Sequence, residues 1–228
     1  MYRGWVSSLR KRVFPRIAVI DYGMGNLHSV SKALKHVMGW FQFPRVEVTS
    51  DPARIAVADR VVFPGQGAMP DCIREMDARG LRAAVLEAAR TKPFLGICIG
   101  LQMLFERSDE GGVAGLGLLP GTVHRFPASA MVDSQGRKLK VPHMGWNRVR
   151  QARAHPLWSG ITDGSRFYFV HSYFPEAGEL GLVQGTTDYG VPFTCAVARD
   201  NIFAVQFHPE KSDTAGLRLL ANFANWNP

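Results

Sequence analysis

The sequence predicts one α/β domain built on a mixed, mainly parallel sheet. Three observations carry this. The first half alternates short apolar runs with segments of helical period, as successive βα units do. Glycine-rich turns close those runs. The second half breaks into short apolar runs separated by Pro, Gly and Asp, the texture of hairpins and antiparallel additions. A chain of 228 residues suffices for one such domain with a sizeable core.

In order along the chain, residues 16–21 read as a strand and 22–26 as a glycine-rich turn. Residues 27–38 read as a helix with Leu27, Val30, Ala33, Leu34 and Val37 on one face. A strand at 45–48 and a short helix after Asp51-Pro52 follow. The third strand, 60–63, breaks at Pro64-Gly65-Gln66-Gly67-Ala68, and helices are expected over 70–79 and 81–90, divided by Gly80. The apolar run 93–95 leads to Cys98 and a helix over 101–107. Later strands are expected at 122–126, 138–141, 147–149, 166–170, 182–186, 193–198 and 202–205, before an amphipathic helix at 214–225.

Composition narrows the function. No uncharged apolar run approaches the ~20 residues of a membrane span, so no membrane partner is expected. Three cysteines at irregular spacing form neither a disulfide framework nor a CxxC metal pair. No metal is expected, and a reducing, cytoplasmic setting fits. The net charge of +8 invites a nucleic-acid reading, but Arg3, Arg10, Lys11, Arg12 and Arg16 supply five of those charges with no acid among them. No RNA-binding aromatic motif or helix-turn-helix accompanies the charge, so no nucleic-acid partner is expected. Residues 1–15 lack the apolar core of a secretory signal. They are expected to be a flexible basic extension ahead of one domain over 16–228. Gly23-Met24-Gly25 lacks the third glycine and the lysine of phosphate loops, so no nucleotide cofactor is expected.

The chemistry is concentrated in Gly96-Ile97-Cys98-Ile99-Gly100-Leu101-Gln102 and His208-Pro209-Glu210. A cysteine between glycines, after an apolar strand and before a helix, reads as a nucleophile elbow. The turn lifts the thiol clear of the sheet and sets it at a helix N-terminus, where aligned peptide dipoles favour the thiolate. A thiolate needs a base, and the base an orienter; His208 and Glu210 supply both. Cys72 and Cys195 lack that context and read as small buried hydrophobes.

Together these motifs resemble the class I, triad-type glutamine amidotransferases, whose pattern is a GxCxGxQ elbow and a distant His-Pro-Glu. Further segments match in family order: Asp21-Tyr22-Gly23-Met24-Gly25-Asn26-Leu27, the 64–68 loop, Val141-Pro142-His143-Met144-Gly145-Trp146-Asn147, Val170-His171-Ser172-Tyr173 and Gln206-Phe207-His208-Pro209-Glu210-Lys211-Ser212. The resemblance spans residues 16 to about 226. Gln66 stands where the family more often has valine. The resemblance implies a flavodoxin-like three-layer sandwich with added antiparallel strands, and cofactor-free hydrolysis of L-glutamine by Cys98, His208 and Glu210. The backbone N–H of Ile99 would be one oxyanion donor, and the loop of Gly65, Gln66 and Gly67 would supply the second. Gln102, His171, Ser172 and Tyr173 would hold the substrate.

A synthetic glutaminase has to pass on neutral ammonia, since ammonium is no nucleophile, and this chain shows no acceptor site of its own. The resemblance implies a heterodimer with a separate (β/α)8-barrel cyclase. Pro142, His143, Met144, Trp146, Asn147 and Lys211 are the expected docking face, because Met and Trp suit interfaces; a core hairpin with Trp146 buried is the competing reading. Rival functions are another class I amidotransferase or a γ-glutamyl hydrolase, which the 21–27 and 142–147 segments argue against. A non-catalytic scaffold would have lost the nucleophile, base or orienter.

Overall fold

The computed structural model describes residues 15–39, 45–127, 131–133 and 135–228. Pro15 apart, the extension expected over 1–15 lies outside the described residues. The first half runs β1 (Ile17–Ile20), α1 (Leu27–Val37), β2 (Val46–Thr49), α2 (Pro52–Val57), β3 (Arg60–Gly65), α3 (Met69–Ala78), α4 (Arg82–Thr91), β4 (Phe94–Cys98) and α5 (Ile99–Gln102). The second half runs β5 (Phe105–Ser108), β6 (Leu119–Arg125), β7 (His143–Arg148), β8 (Arg150–Gln151), β9 (Arg166–His171), β10 (Tyr173–Ala177), β11 (Val183–Tyr189), β12 (Val191–Arg199), β13 (Ile202–Val205) and α6 (Asp213–Asn225).

An eight-stranded sheet in the order β2-β1-β3-β4-β13-β12-β11-β8 forms the centre. Its first five strands are parallel and the last three antiparallel. Parallel strands covered on both faces are apolar throughout; β1, β4 and β13 are buried at every position. From β1 the chain moves outward to β2 and then back past β1 to β3. Right-handed crossovers therefore set α1 and α2 on opposite faces. The packing agrees: α1 lies against α6, and α2 against α4. Asp51 starts α2 by accepting from Ala53 N at 2.8 Å, with Pro52 at the first helical position.

Open sheets of this order present their sites at the carboxyl ends of the strands. Here those ends carry the turn 22–26 after β1, the 66–68 loop after β3, Cys98 on β4 and residues 206–210 after β13.

Three expectations are corrected. The helix expected over 101–107 is only the four residues of α5. Leu104 O then accepts from Leu118 N and Leu119 N, which draws the chain into β5 beside β6. Residues 138–141 form no strand, only a single bridge from Lys138 to Val132. Strand β10 was not expected, because Pro175 and Glu176 interrupt its pattern; it pairs antiparallel with β6.

Candidate active site

The elbow places Cys98 at φ +55°, ψ −111°, a conformation side chains seldom adopt and one that active sites retain under strain. Glycines in and beside the elbow are steric necessities. A Cβ on Gly100 would strike the Phe63 carbonyl of β3, and one on Gly65 would sit 2.8 Å from Ile99 Cβ.

The segment after β13 is pinned to β9. His208 N donates to Tyr168 O at 2.9 Å, Ser212 Oγ donates to His208 O at 2.6 Å, and Tyr168 N donates to Ser212 Oγ at 2.9 Å. His208 Nδ1 lies 2.9 Å from Glu210 Oε1, the two side chains 5% and 0% exposed. Facing a carboxylate, that nitrogen carries the proton. Asn26 Nδ2 reaches the same oxygen at 3.4 Å. The glycine turn after β1 therefore steadies the orienting carboxylate rather than a phosphate. Burial by itself would lower the His208 pKa; the Cys98 thiolate, then Glu210, outweigh it and raise the pKa to about 10. Nε2 is buried and has no hydrogen-bond partner among the described residues.

A cleft of about 400 Å³ opens over the sulfur. Gln66, Gly67, Cys98, Ile99, Gln102, His208 and Lys211 line it from the ends of the parallel strands, and Val170, His171, Ser172 and Tyr173 from β9 and the start of β10, with Glu110 and Pro142 completing the wall. Cys72 Sγ donates to Gln66 O at 3.4 Å, so across the planar peptide the Gly67 N–H points away from Cys72. Tyr22 Oη donates to Pro64 O at 2.8 Å just before it. Gly65 lies in β3 and Glu210 behind His208, neither on the cleft wall. A smaller concavity of about 340 Å³ between Arg16 and Arg45 lies at the opposite, amino end of β1 and β2 and holds no nucleophile.

Two expectations change here. His143, expected on the docking face, is buried: it stacks on Tyr189 and Phe169, with Nδ1 3.1 Å from His171 Nε2. Strand alternation is the reason, since His143 and Met144 point to opposite faces of β7. His171, expected to meet substrate through backbone and side chain, lines the cleft, but its ring has both nitrogens engaged within the protein, Nδ1 facing Tyr173 O at 2.8 Å. Met144 and Trp146 are exposed, as are Pro142 and Lys211, and Trp146 is not in the core. Trp146 meets Tyr168 edge-on at 6.1 Å, and Lys211 Nζ sits 5.8 Å from the centre of the same ring. Half-buried Asn147 donates to Asp188 O at 2.8 Å.

Sequence reasoning missed Glu110, whose Oε2 accepts from Met69 N at 2.7 Å beside the cleft. It also missed Gln206 as an individual residue, which is fully buried against Cys98. Among the described residues no cluster of His, Cys, Asp or Glu suits a metal ion, and no helix is long and apolar enough to cross a membrane.

With a strained cysteine at the end of a central parallel strand and an imidazole–carboxylate pair facing it, the comparisons with known proteins converge. A family model for glutamine amidotransferase class-I matches residues 18–226, and the chain belongs to that family. Within it, the chain is 70% identical to "Imidazole glycerol phosphate synthase subunit HisH" of Dechloromonas aromatica (strain RCB), over 93% of this chain and 97% of that one. It is 66% identical to the protein of the same name from Thiobacillus denitrificans, over 93% and 92%. Among solved structures, a chain of PurLQS from Thermotoga maritima shares the fold, with a TM-score of 0.65 and 18% identity over 93% of this chain and 98% of that one.

Proposed function

We propose that this chain is the glutaminase subunit of an imidazole glycerol phosphate synthase. It hydrolyses L-glutamine to glutamate and ammonia, and hands the ammonia to a (β/α)8-barrel cyclase in a cytoplasmic heterodimer. That partner makes imidazole glycerol phosphate and aminoimidazole carboxamide ribotide in histidine biosynthesis. The observation that carries the reading is the buried His208–Glu210 pair acting on Cys98 at one cleft, in a chain 70% identical to a HisH subunit.

In this mechanism the Cys98 thiolate attacks the carboxamide carbon of glutamine, and the C–N bond breaks as His208 delivers its proton to the departing nitrogen. Glu210 holds the ring and stabilises its cationic form. Water, deprotonated by His208, then cleaves the thioester to glutamate. The tetrahedral oxyanion is met by the Ile99 N–H and by an N–H of the 65–67 loop; one such donor contributes about 10²–10³ in rate. Gln102, Ser172 and Tyr173 hold the amino-acid end. Pro142, Met144, Trp146, Asn147 and Lys211 meet the partner.

The test is co-expression with a barrel cyclase, co-purification, and a glutamine-to-glutamate assay with and without the cyclase's ribotide ligand. A stable pair whose glutaminase rate rises with the ribotide is expected. Failure to associate, or full activity in the isolated chain, would overturn the proposal.

A further inference from the structure

Sequence patterning assigned thiolate support to a helix dipole, yet α5 has only four residues and little dipole to offer. The sulfur has two other polar neighbours. Val170 O lies 4.0 Å from Sγ and can only accept, so it suits the neutral thiol. Gln206 Nε2 lies 3.7 Å from Sγ. We propose that the Gln206 carboxamide is a further catalytic group, donating a hydrogen bond to Cys98 Sγ and stabilising the thiolate.

Which end of the amide faces sulfur follows from the surrounding network rather than from an arbitrary choice of oxygen and nitrogen. Tyr173 O is a backbone carbonyl and can only accept. Gln102 at 2.9 Å must therefore present its NH₂. That same NH₂ reaches Gln206 at 3.1 Å, which must present Oε1. The remaining NH₂ of Gln206 is left facing Sγ. Gln206 is fully buried and Gln102 nearly so, so the orientation is fixed in a medium where a hydrogen bond to a charged atom is strong. Gln102 thus becomes a positioning residue for the nucleophile as well as a cleft wall. The division of labour is simple: His208 exchanges the proton, and Gln206 stays put and stabilises the sulfur's charge.

This inference rests on Cys98 being the nucleophile. The test compares Gln206→Met, which keeps the volume and removes the donor, with Gln206→Leu, which also removes the donor and adds no charge beside the sulfur. Alkylation of Cys98 by iodoacetamide is followed by mass spectrometry from pH 6 to 9 on the full chain, beside glutamine turnover with the partner subunit. Expected are an alkylation rate at pH 7 lower by about 10- to 100-fold, the reach of one hydrogen bond to a charged group, and a pH profile moved to higher pH. kcat should fall with KM nearly unchanged. A variant that melts like wild type but keeps the wild-type alkylation profile overturns the proposal. If Gln206→Met does not fold, Gln206→Leu decides by the same readout. A merely structural Gln206 would lower the melting temperature and leave the pH profile in place. Glutamine-dependent activity retained in Cys98→Ser would instead sink the nucleophile assignment itself.

Discussion

His208 and His171 line the same cleft, yet burial has opposite outcomes at the two rings. On the β13 side His208 is raised to about 10, because a thiolate and a carboxylate outweigh desolvation. On the β9 side His171 is lowered to about 3, by burial first and then by His143. Its partners explain the difference. Nδ1 donates to a carbonyl, so neutral Nε2 accepts from His143 Nδ1, and no anion faces either ring. One wall holds a proton in readiness, and the other is a neutral strut. Charge partners, rather than depth, decide which a buried histidine becomes.

The most severe way to break that contrast is Cys98→Ser. Glutamine-dependent synthesis by the complex should fall about 10⁶-fold, the scale for losing a nucleophile in a triad, while synthesis from added ammonium at raised pH persists. In the same variant an NMR titration should find His208 lowered, with His171 still held well below the ordinary histidine value by burial. Equal loss with both nitrogen sources would assign Cys98 a structural role. Glu210→Gln attacks the same wall from behind. It keeps the shape but removes the charge at 2.9 Å. Turnover should drop by about 10²–10⁴, and the His208 titration should shift to lower pH; an unmoved titration would show that Glu210 is not the orienter.

The β13 wall was far more legible in the sequence than the β9 wall. Its chemistry is local: Gly-x-Cys-x-Gly marks one turn, and His-x-Glu places base and orienter two residues apart. The parallel half of the sheet read well for a similar reason, since strands buried on both faces are continuous apolar runs. The β9 wall depends on pairing between remote strands. His143 meets His171 only because β7 and β9 pair in that register. The alternation His143-in, Met144-out was nevertheless present in the sequence, and the motif as a whole was assigned to one surface. Gln206 and Glu110 were hidden because a buried amide or a capping carboxylate acquires its meaning only from atoms distant along the chain.

Trp146 sharpens the comparison from the outer face of that same wall. It is 44% exposed, so Trp146→Ala should leave the chain's own unfolding free energy within about 0.5 kcal/mol of wild type. Affinity for the barrel cyclase, measured by titration calorimetry, should fall about 30-fold, about 2 kcal/mol and typical of an aromatic anchor. Unchanged affinity would move the docking face elsewhere.

The smallest effect is the most discriminating for the strut. His143 is lowered to about 4 and His171 to about 3, so both stay neutral in the native state at pH values where an unfolded histidine, near 6.5, takes up a proton. Below pH 6.5 the unfolded chain binds more protons at these sites, and stability is lost as pH falls from 6.5 toward 4. His208 has the reverse sign: its contribution is complete below 6.5 and is lost as pH rises through about 10. Urea unfolding at pH 7.5 and pH 5 should therefore differ by roughly 1–2 kcal/mol for each of the two neutral rings, His143 and His171. His143→Phe keeps a ring to stack on Phe169 and Tyr189 but leaves His171 Nε2 without its donor, which costs about 1–3 kcal/mol at pH 7.5. With one titrating ring removed, its further loss between pH 7.5 and 5 should be smaller than that of wild type. An equal loss in both proteins would mean that His143 is not held neutral, and the contrast between the two walls would fail at that residue.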